Sequence, residues 1–247
     1  VPLPKGETPD FSAFLAQYPS IEILATDRPN KTLRPGALVG NEFVVTLSEV
    51  TDGADVEQRL EKVKQVGVPN YFGSQRFGNH GNNLSEARRW GKENVRSRNQ
   101  NQRSLYLSAA RSWIFNQIVS ARLEHNIFNQ LIDGDIAFTD EQQTVVTAST
   151  VDEFNQLLAA GKVQISAALA GDNALPTQNA ALELEQRYVD AEPDLMALIR
   201  SNRMRHERRA VMLKPQNLTW QAEQETLQAE LLELNEPHLT DREQLQQ

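Results

Sequence analysis

Residues 67–78 read Gly67-Val68-Pro69-Asn70-Tyr71-Phe72-Gly73-Ser74-Gln75-Arg76-Phe77-Gly78, and we call this segment the junction motif. Its glycines allow the backbone to turn sharply and to lie close to another molecule. Its three aromatic rings offer stacking surfaces, and its arginine offers a planar guanidinium suited to a phosphate or a base edge. Two interpretations stay open: a tight turn that enters a core strand with its rings buried, or a segment that contacts a nucleic acid.

The composition excludes several classes of protein. The 247 residues contain no cysteine, so a disulfide framework, a thiolate metal site and a cysteine nucleophile are impossible. No apolar run approaches the roughly 18 residues that a membrane span needs, and residues 1–10 lack the apolar core of a secretory signal. We therefore expect a cytoplasmic protein without membrane contact. Because the chain starts without Met, we also expect it to be part of a longer sequence.

Charge is distributed unevenly, although the formal net charge is −8. A first basic run contains Arg76, Arg88, Arg89, Lys92, Arg96, Arg98, Arg103, Arg111 and Arg122. A second basic run contains Arg200, Arg203, Arg205, Arg208, Arg209 and Lys214, whereas residues 221–247 are acidic. Arginine outnumbers lysine in both runs, which favours contacts with phosphates and bases. The alternative, that these are solvated faces of helices, stays open.

Hydrophobic periodicity predicts an α+β fold. Strands are predicted at 21–24 and 42–50 and, with a turn, at 137–148. Helices are predicted at 55–66, 83–93, 104–125 and 150–160, and through most of 176–213. The helix at 104–125 would present Leu107, Ala110, Ile114, Ile118 and Leu123 on one side. Thr150 and Glu153 have the spacing of a capping box, and residues 33–40 are rich in turn-forming residues.

No metal site is expected. The four histidines, His80, His125, His206 and His238, have no ligand spacing. The segment Asp133-Gly134-Asp135, followed by Asp140 and Glu141, hints at calcium, but its spacing does not fit an EF-hand loop. A hairpin turn is the favoured interpretation of this segment.

Four blocks follow one another along the chain. The first is Lys31-Thr32-Leu33-Arg34-Pro35-Gly36-Ala37-Leu38-Val39-Gly40-Asn41-Glu42-Phe43, and the second is the junction motif. The third is Arg103-Ser104-Leu105-Tyr106-Leu107-Ser108-Ala109-Ala110-Arg111-Ser112 with Phe115-Asn116-Gln117, and the fourth is Asp133-Gly134-Asp135. In content and order these blocks resemble the tRNA pseudouridine synthase D family, from about Lys5 to Trp220.

The resemblance implies an isomerase that converts the uridine at position thirteen of tRNA to pseudouridine without a metal or an organic cofactor. The family's reaction breaks the C1′–N1 bond, turns the uracil and rejoins it through C5, after the base has left its stack. The implied partner is tRNA, and the default oligomeric state is a monomer.

The resemblance also implies a catalytic domain that is interrupted by an insertion domain of the family's own (TRUD) type. Residues 1–68 would be a partial, mostly stranded catalytic domain, and residues 69–214 the helix-rich α/β insertion. Residues 215–247 would be the return segment to the catalytic domain, with an atypical acidic tail.

Candidate site residues come from the same blocks. Asn41 matches the family's pocket asparagine, and Phe43 matches the aromatic residue beside it. An asparagine can hydrogen-bond a uracil edge, and a phenylalanine offers a ring face. The residues expected to combine a structural role with RNA contact are Asn70, Tyr71, Phe72, Gln75, Arg76 and Phe77.

The sequence departs from the family's pattern at both ends. The family's catalytic aspartate lies in a G-x-K-D-R-like motif that these residues lack, and Asp10 and Asp27 stand in other contexts. We therefore expect the nucleophile upstream of Val1, and we expect this chain alone to be inactive. A P-A-G-S-F-A-T-like segment is also missing near the C-terminal end. Two alternatives stay open: a non-catalytic RNA-binding remnant, and a protein-interaction scaffold built on residues 176–213 and the acidic tail.

Overall fold

The structure is a computed structural model. It describes residues 10–25, 40–139, 142–223 and 226–234, and of residues 40–41, 222–223 and 226–234 it describes the backbone alone. The helices are α1 (Ser12–Gln17), α2 (Gly53–Val66), α3 (Asn82–Lys92), α4 (Gln100–Glu124), α5 (Val151–Ala159), α6 (Asn179–Asp190) and α7 (Pro193–Ser201). The strands are β1 (Gly40–Leu47), β2 (Val68–Pro69), β3 (Ile136–Phe138), β4 (Gln143–Val145), β5 (Gln164–Leu169), β6 (Glu207–Ala210), β7 (Met212–Leu213), β8 (Gln216–Glu223) and β9 (Thr226–Leu234). The α+β fold class is confirmed.

The strands form three sheets. Their orders are β1-β9-β8, β2-β7 and β4-β3-β5-β6. In the four-stranded sheet, β5 pairs antiparallel with β6 (Ser166 opposite Ala210) and with β3 (Ala137 opposite Ile165). In the described part of the chain no helix has the length and apolarity that crossing a membrane requires.

The chain divides into two compact units, Val1–Asn41 with Leu234–His238 and Glu42–Glu233 with Leu239–Gln247. Helix α1 belongs to the first unit, and its Phe14 lies 4.9 Å from the Tyr18 ring that follows it. The strand predicted at 21–24 is wrong, because these residues form neither helix nor strand. Their apolar side chains are exposed, and no described strand pairs with them.

Helix α4 is the centre of the larger hydrophobic core. Ile114 and Ile118 are fully buried, and the helix contacts α3, α6, α7 and β5. The predicted apolar side is confirmed for four of its five members, since Leu107 and Ala110 are also buried. Leu123 is exposed instead, because at 3.6 residues per turn it lies on the side of α4 opposite Ile114 and Ile118, whereas Ala121 and Arg122 of the same turn are buried.

A second, smaller cluster surrounds Leu218 of β8. The helix predicted at 55–66 is confirmed as α2, and its Val56, Leu60 and Val63 pack against Leu218 together with Leu47, Val50 and Trp220. Helix α2 begins at its N-cap Asp52, whose carboxylate accepts a hydrogen bond from the Asp55 N–H at 3.0 Å. This cluster shares no residue with the larger core.

The capping box predicted at Thr150 is wrong. Thr150 precedes α5 with nearly helical backbone angles, and its hydroxyl makes no bond to the first turn of that helix. The Thr150 hydroxyl oxygen instead accepts a hydrogen bond from the Thr147 N–H at 3.0 Å. Because the extended backbone of a regular N-cap is missing, the hydroxyl cannot reach the free N–H groups of the helix.

Residues 176–213 are less helical than predicted. Helices α6 and α7 account for the first part, but residues 207–213 form β6 and β7. Strand β6 pairs with β5, and this pairing overrides a helical preference that the sequence suggests locally. Residues 226–234, expected to belong to a polar tail, form strand β9 beside β8.

Candidate functional site

The start of the junction motif includes strand β2, which pairs with the later strand β7. Val68 pairs with Leu213, and Pro69 pairs with Met212. Gly67 has φ +92°, and a Cβ atom there would lie 2.7 Å from the Leu213 carbonyl oxygen. Glycine is therefore required at this position for both its backbone conformation and its close approach to β7.

Asn70 joins the motif to the returning strand. Its N–H donates to the Val211 carbonyl at 2.9 Å, and its Nδ2 donates to the Ala210 carbonyl at 3.0 Å. Its Oδ1 accepts a hydrogen bond of 2.6 Å from Arg209 Nη2. The side chain is buried, and these bonds use both ends of its amide. Asn70 is thus a structural residue of this junction, and RNA contact at Asn70 stays a prediction.

Phe72 lies among cationic and aromatic groups of the same chain. The guanidinium of Arg209 is 4.3 Å from its ring centroid, and that of Arg76 is 5.2 Å away. Phe115 meets it edge to face at 5.6 Å. A cation over an aromatic face is attracted by the negative potential of the ring. Phe72 therefore organises two arginines, and it is half-buried against the core.

Phe77 is also a packing residue. Its ring meets Trp113 at 5.9 Å with an interplanar angle of 90°. The indole N–H of Trp113 donates to Glu192 at 2.7 Å, and Arg88 makes two hydrogen bonds to the same carboxylate, at 2.7 and 3.2 Å. For Phe72 and Phe77, the interpretation of the rings as part of the core is supported.

Among the candidate site residues of the motif, Tyr71, Gln75 and Arg76 are exposed. The Tyr71 hydroxyl lies 2.9 Å from the Ser120 hydroxyl, and Arg76 donates to the Ser108 hydroxyl at 2.6 Å. Ser108 and Ser120 both belong to α4, so the motif runs along this helix in the opposite direction. The helix thereby presents a phenol and a guanidinium about 18 Å apart along its axis, at 1.5 Å per residue.

Asn116 of α4 binds the motif between these two points. Its Oδ1 accepts from the Phe72 N–H at 3.0 Å, and its Nδ2 donates to the Phe72 carbonyl at 3.0 Å. The Asn116 amide thus satisfies both backbone hydrogen-bonding groups of Phe72, as a neighbouring strand would. The family block Phe115-Asn116-Gln117 marked this position in the sequence, but its bonding partner could not be read from it.

Asn116→Ala should lower the free energy of unfolding by about 1–3 kcal/mol, because the Phe72 N–H and carbonyl lose their partners in a half-buried position. Equilibrium urea unfolding measures this loss. Gln117→Ala is the matched control, since Gln117 makes no side-chain hydrogen bond among the described residues. Equal losses in the two variants would show that the two hydrogen bonds between Asn116 and Phe72 contribute nothing to stability.

Asn41 and Phe43 lie on β1, away from the motif in sequence. Phe43 is 40% exposed, and its neighbours Val44 and Val45 are exposed as well. In the described part of the chain Phe43 makes no ring contact with the motif. The side chain of Asn41 lies outside the described residues, as does most of the first sequence block.

Several arginines of the two basic runs are internal rather than solvated. Arg122 makes two bonds of 2.9 Å to the Asp135 carboxylate, and Arg208 binds Glu185 at 2.8 Å. In both pairs each side chain is at most 2% exposed. Arg111 binds Glu207 at 2.9 Å. The interpretation of Arg208 and Arg209 as part of a solvated helix face is wrong, because both lie on the paired strand β6.

Asp133-Gly134-Asp135 forms a turn before β3. The Asp135 N–H donates to the Ile132 carbonyl at 3.1 Å, and Gly134 has φ +90°. The Asp135 carboxylate also accepts the Ile132 N–H at 2.8 Å. A turn is therefore confirmed, but it leads into a strand rather than joining two paired strands. Asp140 and Glu141 lie outside the described residues.

His206 precedes β6 and is half-buried. Its Nδ1 accepts a hydrogen bond from the Gly171 N–H at 2.8 Å. Burial lowers the pKa of His206 to about 4; a hydrogen bond with the Leu169 backbone opposes this shift, and the charges of Arg111 and Arg208 add to it.

The neutral form of His206 therefore contributes stability that depends on pH. The unfolded chain, with a histidine pKa near 6.5, binds more protons than the folded chain between pH 6.5 and about 4. Stability is thus lost as the pH falls through this window. His206→Asn keeps an acceptor for the Gly171 N–H but does not titrate. The melting temperature of this variant should therefore fall less between pH 7 and pH 5 than that of the unmodified chain. Parallel decreases would contradict this assignment.

Comparison with known proteins identifies a family model that matches the chain. The family model described as tRNA pseudouridine synthase D (TruD) matches residues 8–87 and 82–232. A tRNA pseudouridine synthase D of Vibrio parahaemolyticus is 74% identical over 223 residues, which cover 90% of this chain and 64% of that protein. The proteins of the same name from Vibrio vulnificus strain YJ016 and Aliivibrio fischeri strain MJ11 are 70% and 60% identical, over 90% and 88% of this chain and 64% and 62% of theirs.

The fold also matches a solved structure. It superposes on a crystal structure from Methanosarcina mazei, provisionally assigned as tRNA pseudouridine synthase D, with a TM-score of 0.60 and 18% identity. The match covers 83% of this chain and 68% of the other. At this identity the likeness concerns the fold alone. The chain spans less than two thirds of the length of the Vibrio and Aliivibrio relatives.

Proposed function

The chain belongs to the tRNA pseudouridine synthase D family, and on that premise we propose that it is the tRNA-holding part of a pseudouridine synthase. The observation that carries the proposal is the convergence of three family blocks on α4. The junction motif runs along this helix, the third block forms the helix itself, and Asp135 of the fourth block binds its Arg122. Three of the four segments by which the chain resembles its family thus form one connected structure.

The domain division at 68/69 and 214/215 is part of this proposal. The pairing of β2 with β7 brings the two ends of the inserted segment together, as an insertion into another domain requires. The two hydrophobic clusters support the same boundaries. The larger draws its members from 72–212, and the smaller draws its members from 47–63 and 218–220.

The proposed reaction converts a uridine of tRNA, at position thirteen, to pseudouridine. The C1′–N1 bond breaks, the uracil turns, and a C1′–C5 bond forms; C5 loses its proton to solvent and N1 takes one up, so that the product is an isomer of uridine and atoms and charge balance. In this proposal Asn41 binds the uracil edge and Phe43 lies against its ring, while Tyr71, Gln75 and Arg76 contact the RNA. The proposal includes a cytoplasmic monomer that uses no metal or organic cofactor.

The proposal also includes that these 247 residues alone do not turn over tRNA, because they lack the G-x-K-D-R-like motif that carries the family's aspartate. The test is tritium release from tRNA labelled at C5 of uracil. One sample contains this chain, and a second contains a chimera in which it replaces the matching 223-residue segment of the Vibrio parahaemolyticus relative. Release by the chimera alone is expected. A chimera that folds and binds tRNA without releasing tritium would favour the RNA-binding remnant.

Within that chimera Asn41→Ala should slow tritium release about tenfold or more, since a lost hydrogen bond to the reacting base costs about 1–3 kcal/mol. Glu42→Ala is the control, because Glu42 is an exposed neighbour on β1. The rate is measured at saturating tRNA, so that weaker binding is not mistaken for slower chemistry. Unchanged turnover in Asn41→Ala would remove Asn41 from the proposed site.

A further inference from the structure

The two basic runs divide into internal and exposed arginines. Arg111, Arg122 and Arg208 bind carboxylates of the core. Arg96 and Arg98, in the loop between α3 and α4, are exposed. They have no ion pair and no side-chain hydrogen bond among the described residues. These exposed cations are not needed to hold the fold together.

The exposed arginines line a pocket of about 350 Å³. It lies between the α3–α4 loop, the first turn of α4 and the end of α7. Its lining includes Arg96, Ser97, Arg98, Arg103, Ser201 and Asn202, and we call it the arginine pocket. Arg96, Arg98 and Arg103 belong to the first basic run, and Ser201 and Asn202 lie within the second. Runs that are about 100 residues apart in sequence therefore contribute to one place.

The chemistry of the lining suits an oxyanion. Three guanidiniums and the Ser97 hydroxyl offer hydrogen-bond donors, and no carboxylate lines the pocket. The Ser201 hydroxyl and the Asn202 amide nitrogen already donate to the Leu198 carbonyl. The Nε of Arg103 is buried and has no hydrogen-bond partner among the described residues. A buried, unpartnered guanidinium nitrogen is costly unless a ligand or water satisfies it. Guanidinium groups bind phosphate oxygens in pairs of parallel hydrogen bonds.

The surroundings of the pocket add positive charge. Arg200 and Arg203 flank Ser201 and Asn202 in the chain, and both are exposed. Lys92, at the end of α3, is exposed as well. Because a polyanion meets several cations here at once, this surface would attract it far more strongly than a single phosphate.

We propose that the arginine pocket binds a phosphodiester group of the RNA backbone, through Arg96, Arg98 and Arg103. The proposal rests on the proposed function, which supplies RNA as the ligand. It adds a second place on the insertion where RNA is held, separate from the exposed residues of the junction motif.

The test compares tRNA binding of the unmodified chain with that of Arg96→Gln/Arg98→Gln by fluorescence anisotropy over a series of salt concentrations. We expect binding about tenfold weaker near 0.1 M salt, and a slope of log K against log [salt] that is smaller by about 1, since the proposal assigns one phosphate to the pocket. The control is Arg59→Gln/Lys62→Gln, which removes two exposed positive charges from α2. Its affinity and slope should change little.

Each outcome has a distinct meaning. If the unmodified chain does not bind tRNA, the proposed function fails, and this inference fails with it. If the unmodified chain binds and Arg96→Gln/Arg98→Gln keeps its affinity and slope, the arginine pocket alone is overturned. A titration with inorganic phosphate at constant ionic strength separates the sources: phosphate that binds in the pocket, with unchanged tRNA affinity in the variant, indicates a site for a free anion and overturns the proposal. Arg98→Glu, a reversal of charge on an exposed loop, should weaken tRNA binding further, and circular dichroism verifies that each variant is folded.

Discussion

Asp135→Ala is expected to lower the free energy of unfolding by about 3–5 kcal/mol. Asp135 and Arg122 are each 1% exposed, and two hydrogen bonds of 2.9 Å join them. The substitution leaves the guanidinium buried without its counter-charge, and it also removes the acceptor of the Ile132 N–H. An uncompensated buried charge costs far more than an exposed pair contributes.

Urea unfolding followed by tryptophan fluorescence measures this loss. The control is Asp55→Ala, which breaks the exposed pair with Arg59 on α2 and should cost less than about 1 kcal/mol. The double variant Arg122→Met/Asp135→Ala should regain part of the stability, because it removes the orphaned charge together with its partner. If Asp135→Ala costs no more than Asp55→Ala, the pair does not hold the turn to α4.

Gly134→Ala is expected to cost more than about 4 kcal/mol, in the range that single substitutions rarely reach. The backbone of Gly134 has φ +90°, and a Cβ atom there would lie 1.6 Å from the carbonyl oxygen of Gln178 and 2.3 Å from its carbon. The Gly134 carbonyl also accepts the Gln178 N–H at 3.0 Å. Relief of the clash therefore requires the start of α6 to move away from the turn and to lose this bond.

Gly161→Ala is the matched control for Gly134. It has φ +68° and nothing within 4 Å of the added atom, so it tests the backbone conformation without the clash. We expect a cost of about 1–2 kcal/mol there. The comparison uses the same urea unfolding measurement. Similar losses of unfolding free energy at both glycines would show that Gln178 moves away at little cost and that the crowding is unimportant.

Much of the fold follows from local patterns in the sequence. The spacing of apolar residues on α2 and α4 predicted both helices and most of their buried sides, because each packs one continuous surface against its own core. The pattern was misleading at 207–213, where pairing with β5 and β2 decides the conformation. Strand β9 had a signal that could have been used, since Leu227, Ala229 and Leu231 alternate with polar residues.

The candidate site was less accessible from the sequence. The glycines of the junction motif predicted a turn, and Gly67 has the positive φ that this predicts. The roles of Arg209 and Asn116 could not be predicted, because their partners are 139 and 44 residues away in the chain. A basic run shows that arginines are present, but only packing decides which of them meet carboxylates and which stay free for a ligand.

The short ladder between β2 and β7 has a consequence for the order of folding. Asn70 bonds the Ala210 carbonyl across 140 residues, and closing a flexible loop of that length costs about 4 kcal/mol of chain entropy, from (3/2)RT ln n. A few hydrogen bonds offset this cost poorly when they form first. If residues 69–214 fold first around α4, their ends are already close together and the entropy cost has largely been met. The ladder then closes as a late step. The close contact of Gly67 with Leu213 forms only after the segment between them has reached its native structure.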